Sequence, residues 1–156
     1  MNVRRSTTTA AVALAFPVLS LGLTACGFDA PTDQVYNPAV GVNEQRGAVD
    51  VLNALVVSGS DGSGTVVASF ANNDQEESDA LTGISGPGVQ VEVAADATIP
   101  QGGLLNLSDG SVTITGEEVV PGSFVRLTFT FGRGEAVTLQ APVMANDGDY
   151  ADIPVA

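Results

Sequence analysis

The chain has no histidine, no tryptophan and a single cysteine, Cys26, and all five of its cations are arginines, so lysine is missing too. With no second cysteine, an intramolecular disulfide is excluded. With no histidine, a Cys26 thiolate lacks its usual activator and a metal site lacks its commonest nitrogen ligand. A serine nucleophile would have neither a His nor a Lys beside it. The stretch "GISGP" around Ser85 comes near the G-x-S-x-G elbow, but Pro87 stands where the last glycine belongs and the stretch lies in a turn between strands. Glu117 and Glu118 are a carboxylate pair, yet adjacent residues on a strand point to opposite faces, and no Trp offers a platform for sugars. The expectation is a protein that is not an enzyme and carries no cofactor.

What is present begins with "MNVRRSTTTAAVALAFPVLSLGLTAC": Arg4 and Arg5, an uncharged apolar run from Ala10 to Leu23, then small residues before Cys26. These are the three parts of a secretory signal peptide over residues 1–25. The run is broken by Pro17 and falls short of the ~20 residues of a comfortable membrane span. Leu23, Thr24, Ala25 and Cys26 match the bacterial lipobox, which implies diacylglyceryl transfer to Cys26 and cleavage after Ala25. "VRRSTTT" lacks the apolar residues that follow a twin-arginine pair, so general secretion is expected. The predicted product is held at the outer face of the cell membrane by the lipid on Cys26.

Removing residues 1–25 leaves Arg46, Arg126 and Arg133 against all 18 acids, a net charge of −15. Such a surface repels nucleic acid and anionic head groups, so the membrane contact has to come from the lipid. Residues 26–47 hold the anchor and then a mixture of Pro, Gly and polar residues without periodicity, read as a tether. Fully extended it reaches about 70 Å, and as a flexible chain about 25 Å. The alternative is that "QVYNPAV" adds an edge strand with Tyr36 packed.

Residues 48–156 read as short strands: "VDVLNALVV", "GTVVASFAN", "VQVEVA", "SVTIT", "FVRLTFTF" and "AVTLQAPV", divided by Gly, Asp, Asn and Pro clusters. In "FVRLTFTF", Val125, Leu127, Phe129 and Phe131 fall on one face and Arg126, Thr128 and Thr130 on the other. "VQVEVA" places Val89, Val91 and Val93 inward with Gln90 and Glu92 outward, and "AVTLQAPV" places Val137, Leu139, Ala141 and Val143 inward. The predicted fold is all-β, a single immunoglobulin-like β-sandwich large enough to bury a core without disulfides.

The run "ASFANNDQEESDALTGISGPGVQVEVA" and the later "PGSFVRLTFTFGRGEAVTLQAPV" resemble the PCuAC periplasmic copper chaperone family over most of residues 48–145. Together with the lipobox, the tether and the "LTGIS" and "FTF" segments, they resemble its LpqE-type group of actinobacterial lipoproteins. The resemblance implies a cupredoxin-like β-sandwich. It also implies a departure, because that family holds Cu(I) with His and Met, soft ligands suited to the ion. Ala94 follows "VEV" where the family has its first His, and the segment before "PGSFV" is too short for the His-x-Met hairpin. Met144, the sole Met beyond the signal peptide, reads as packing at the end of the last strand.

Oxygen ligands are plentiful by contrast. "NNDQEESD" carries Asp74, Glu76, Glu77 and Asp79, and "NDGDYAD" carries Asp147, Asp149 and Asp152. Clustered carboxylates suit Ca²⁺, but neither loop has EF-hand spacing, and solvated acidic turns account for both. The remaining candidate is an interaction surface for another envelope protein, on the polar face of "FVRLTFTF" and the sheet edges. Arg126 and Arg133 either mark that contact or neutralise neighbouring acids.

Overall fold

A computed structural model of the chain describes residues 40–59, 62–93 and 97–155. Its strands are β1 (Val42–Glu44), β2 (Val49–Ser58), β3 (Ser63–Asn72), β4 (Asp79–Ser85), β5 (Val89–Val93), β6 (Thr98–Ile99), β7 (Leu104–Leu107), β8 (Val112–Gly116), β9 (Phe124–Phe131) and β10 (Ala136–Ala145). They pair in the order β5-β8-β3-β2-β10-β9-β4-β6, with β1 added to β2 and β7 to β3. Every pairing is antiparallel except the short parallel join of Val56–Ser58 in β2 with Val143–Ala145 in β10. That join links a layer built on β2, β3 and β8 to a layer built on β4, β9 and β10.

The core lies between the layers. Val125, Leu127, Phe129 and Phe131 of β9 and Val137, Leu139, Ala141 and Val143 of β10 are all buried, as their alternation predicts. Phe70 of β3 meets Phe129 and Phe131 edge-on, with ring centroids 5.3 and 5.7 Å away. Such aromatic pairs add about 0.5–1.5 kcal/mol beyond the area they bury.

β2 changes its inward phase midway. Val49 and Val51 face the core, then Ala54 and Val56 do, because a bulge intervenes between Leu52 and Leu55. The bulge holds Asn53 at φ 50, in the left-handed region that Asn tolerates better than most residues. Its amide hydrogen bonds to Asn43 Oδ1 at 2.6 Å, and its Oδ1 accepts from the Gly41 amide at 3.0 Å. Past the bulge Leu55 and Val57 are fully buried but stand outside the core cluster. Residues 146–155 form a strap at Val57: Thr65, its partner across the ladder, donates its hydroxyl to the Pro154 carbonyl.

Several elements depart from expectation. Val42–Glu44, expected in the tether of residues 26–47, pairs with β2, because Asn43 and Gly41 bind the bulge at Asn53. Residues 1–39, including Cys26 and most of "QVYNPAV", lie outside the described residues, as does Ala94. β4, β6 and β7 form where no strand is predicted. Val93, expected inward, is 40% exposed, because β5 is an edge strand that pairs only with β8 among the described strands.

Candidate functional site

The acidic loop closes around an arginine. Arg133 sits in the turn of the β9–β10 hairpin, which the Gly134 amide closes on the Phe131 carbonyl at 3.0 Å. Gly134 takes φ 86, which turns the chain back so that the Glu135 carbonyl accepts from the Phe131 amide at 2.9 Å. The guanidinium Nη1 reaches Asp74 Oδ2 at 2.6 Å and Glu77 Oε2 at 3.3 Å, and Nε reaches Asp79 Oδ2 at 3.4 Å. The Asp79 side chain is 1% exposed, at the start of β4, and its Oδ1 also accepts from the Ala80 and Arg133 amides. Asp74 Oδ1 accepts from the amides of Glu76 and Glu77 at 2.9 and 3.1 Å. Asn72 ties the same loop from within, through Oδ1 to the Asp74 amide and Nδ2 to the Glu77 carbonyl.

Three of the four carboxylates considered as calcium ligands, Asp74, Glu77 and Asp79, are thus turned onto one guanidinium, and Glu76 contributes its amide to Asp74. The positive charge at the centre of this loop is Arg133. Its hydrogen bond, helped by the two loop amides, lowers the Asp74 pKa from 3.8 to about 2, and the same contact raises that of Arg133. Among the described residues no group of three or more His, Cys, Asp or Glu side chains is placed to hold a metal ion.

The other sequence candidates are dispersed. Asp147, Asp149 and Asp152 are exposed along the strap, whose 3-10 turn at Gly148–Tyr150 is closed by Asn146 Nδ2 bonding the carbonyls of Tyr150 and Ile153 at 2.8 and 2.9 Å. Met144 is half-buried in the parallel ladder opposite Val57. Ser85 ends β4 opposite Thr128, and Glu117 and Glu118 lie in the turn after β8.

Arg126 is placed differently. It projects from the wet face of β9 opposite Gln140 of β10, with Thr128 and Thr138 beside it sharing a hydroxyl hydrogen bond of 2.8 Å. Among the described residues the Arg126 side chain has no hydrogen bond and no ion pair. Phe124, on the same face, is 61% exposed. Pro87, Glu118, Phe124, Arg126 and Gln140 line a basin of about 290 Å³. Pro87 reaches it because Gly86 packs on the strand backbone, where a Cβ would lie 2.3 Å from the Arg126 carbonyl oxygen. The outward aspect of Arg126, Thr128 and Thr130 is legible in the alternation of β9. The arrival of Pro87 and Glu118 from two separate turns is not.

With the fold in view, its class is defined by comparison with solved structures. The chain matches the apo PCuAC domain from PmoF1 at 16% identity over 67% of this chain and 99% of that one, with a TM-score of 0.58. It matches the copper-bound PCuAC domain from PmoF2 at 17% identity over 67% and 98%, TM-score 0.53, and the apo PmoF2 PCuAC domain at 20% over 69% and 98%, TM-score 0.51. At these identities the likeness establishes the fold: the chain is a cupredoxin-like β-sandwich of the PCuAC type, as its sequence resemblance implied. No family model matches the chain, and no curated relative does.

Proposed function

We propose that this chain is a lipid-anchored, non-catalytic binding module of the bacterial cell envelope, built on a PCuAC-type fold that has lost the His and Met copper ligands. The observation that carries the reading is how its charge is spent. The acidic loop that offers hard ligands is occupied by Arg133, whereas Arg126 forms no ion pair among the described residues and stands beside an exposed Phe124. The contact surface is the wet face of β9 around Arg126, and its partner is another envelope component. Leu23–Cys26 supports attachment to the outer face of the cell membrane through the lipid on Cys26.

A second reading has one observation in its favour: one structural neighbour is a copper-bound domain. On that reading the chain is a metal-handling accessory protein that uses carboxylates. Thermal unfolding of the full chain with Cu(I), Cu(II), Zn²⁺ and Ca²⁺ separates the two. An ion at 100 times its dissociation constant adds about 2.7 kcal/mol if it binds only the folded state. The binding-module reading expects no saturable shift with any of the four, and a shift with one of them replaces it by the second. The anchor has its own test: Cys26→Ser should release the protein from the membrane fraction, and unchanged fractionation would refute lipidation.

A further inference from the structure

We infer that the basin beside Arg126 binds an amino-acid-type zwitterion carrying an apolar side chain, an inference that rests on the reading of the β9 face as the contact surface. In a chain with 18 acids an arginine finds a carboxylate easily: Arg133 takes three and Arg46 takes Glu44 at 3.7 Å. Arg126 shares a basin with Glu118 and yet pairs with neither it nor any other described residue.

Their backbones hold them in place. Arg126 lies in the β9–β10 ladder, and the Glu118 carbonyl accepts the Ser123 hydroxyl in the turn before β9. An acid and a base that line one depression without meeting present two charges of opposite sign to whatever enters. A ligand with both charges matches both. The guanidinium takes a carboxylate through paired N–H donors, with the Gln140 amide as a further donor, and the Glu118 carboxylate takes an ammonium. A simple anion would leave Glu118 beside it unmatched and repelling.

Phe124, which is exposed, and Pro87 supply a small apolar share of a lining that is otherwise polar, enough for contact with a side chain at the surface. The basin, about 290 Å³, lies at the small end of ligand clefts and suits one or two residues, not a large cofactor.

The test is calorimetric titration of the full chain with L-phenylalanine, with 3-phenylpropanoate, which lacks the ammonium, and with phenethylamine, which lacks the carboxylate. Saturable binding of L-phenylalanine is expected, with each one-charge analogue weaker by about tenfold or more, because a hydrogen bond to a charged group is lost. Arg126→Gln should erase the preference for L-phenylalanine over phenethylamine, and Glu118→Gln its preference over 3-phenylpropanoate. Phe124→Ala should weaken all three probes together. No saturable binding of any probe, or binding unchanged in both charge variants, overturns the inference. Equal binding of 3-phenylpropanoate and L-phenylalanine, lost in Arg126→Gln, overturns the zwitterion but leaves the β9 face as the contact surface. The binding-module reading fails on a different result, a saturable ion shift in the unfolding experiment.

Discussion

Arg126 and Arg133 belong to one hairpin and live in opposite electrostatic worlds. Arg133, at the turn, gathers Asp74, Glu77 and Asp79 and holds the loop before β4 against the β9–β10 turn. Arg126, on the strand, forms no ion pair among the described residues although Glu118 lines the same basin. The difference teaches that the position of a charge relative to buried carboxylate decides whether it serves the fold or the surface. Asp79 is the pivot, since a carboxylate with a 1% exposed side chain must be compensated.

The sharpest break of this contrast is a matched pair of substitutions. Arg133→Met strips the guanidinium from Asp79 and leaves that carboxylate buried with two backbone amides, at an expected cost of about 1–3 kcal/mol. Arg126→Met removes a charge that no described residue pairs with and should stay within about 0.5 kcal/mol of wild type. Urea denaturation of both variants measures the difference, and equal losses would remove the distinction between the two arginines. Adding Asp79→Ala to Arg133→Met should cost less than the sum of the two single changes, because the orphaned charge leaves with its partner.

A smaller effect separates the carboxylates that share Arg133. The Glu77 side chain is 71% exposed, so Glu77→Gln should change stability by less than about 0.5 kcal/mol. Asp79→Asn, at the buried end of the same network, should cost distinctly more, because the amide it introduces donates toward Arg133 where the native oxygen accepts. Equal unfolding midpoints for the two variants would show that burial does not grade this network.

How much of this was legible beforehand depends on the range of the interaction. β9 announces itself by alternating along its whole length, and β10 by alternating from Ala136 to Ala141, one face in the core and one toward water. β4 does not, since a bulge between Leu81 and Gly83 breaks its period and its first residue is the buried Asp79. β2 is visible as a strand, but the reversal of its inward face waits on Asn53 and its bonds to Asn43 and Gly41. β6 has two residues and β7 four, too few for a period to show. The acidic loop is conspicuous in composition, yet the residue that organises it lies 54 to 59 positions away from the acids it binds. The basin is harder still, because Pro87 and Glu118 reach Arg126 from turns that only the finished sandwich brings together.

The most delicate test uses pH. Asp74 titrates at about 2 in the folded protein against an ordinary 3.8, chiefly because Arg133 donates to it, with the Glu76 and Glu77 amides assisting. A depressed folded value means that the stabilisation is complete above the unfolded pKa, near pH 4, and is lost as pH falls through about 2. The wild-type unfolding midpoint should therefore decline between about pH 4 and 2 with a contribution from this carboxylate. Arg133→Met removes the largest cause of the shift and lets Asp74 return toward its ordinary value, so this contribution shrinks and the acid limb flattens in that window. Arg126→Met leaves every bond to Asp74 in place, and its acid limb should run parallel to wild type. Denaturation midpoints taken between pH 5 and 2 for the three proteins decide the matter. If the Arg133→Met limb is as steep as wild type, the loop owes its low pKa to its own amides and not to the arginine it encloses.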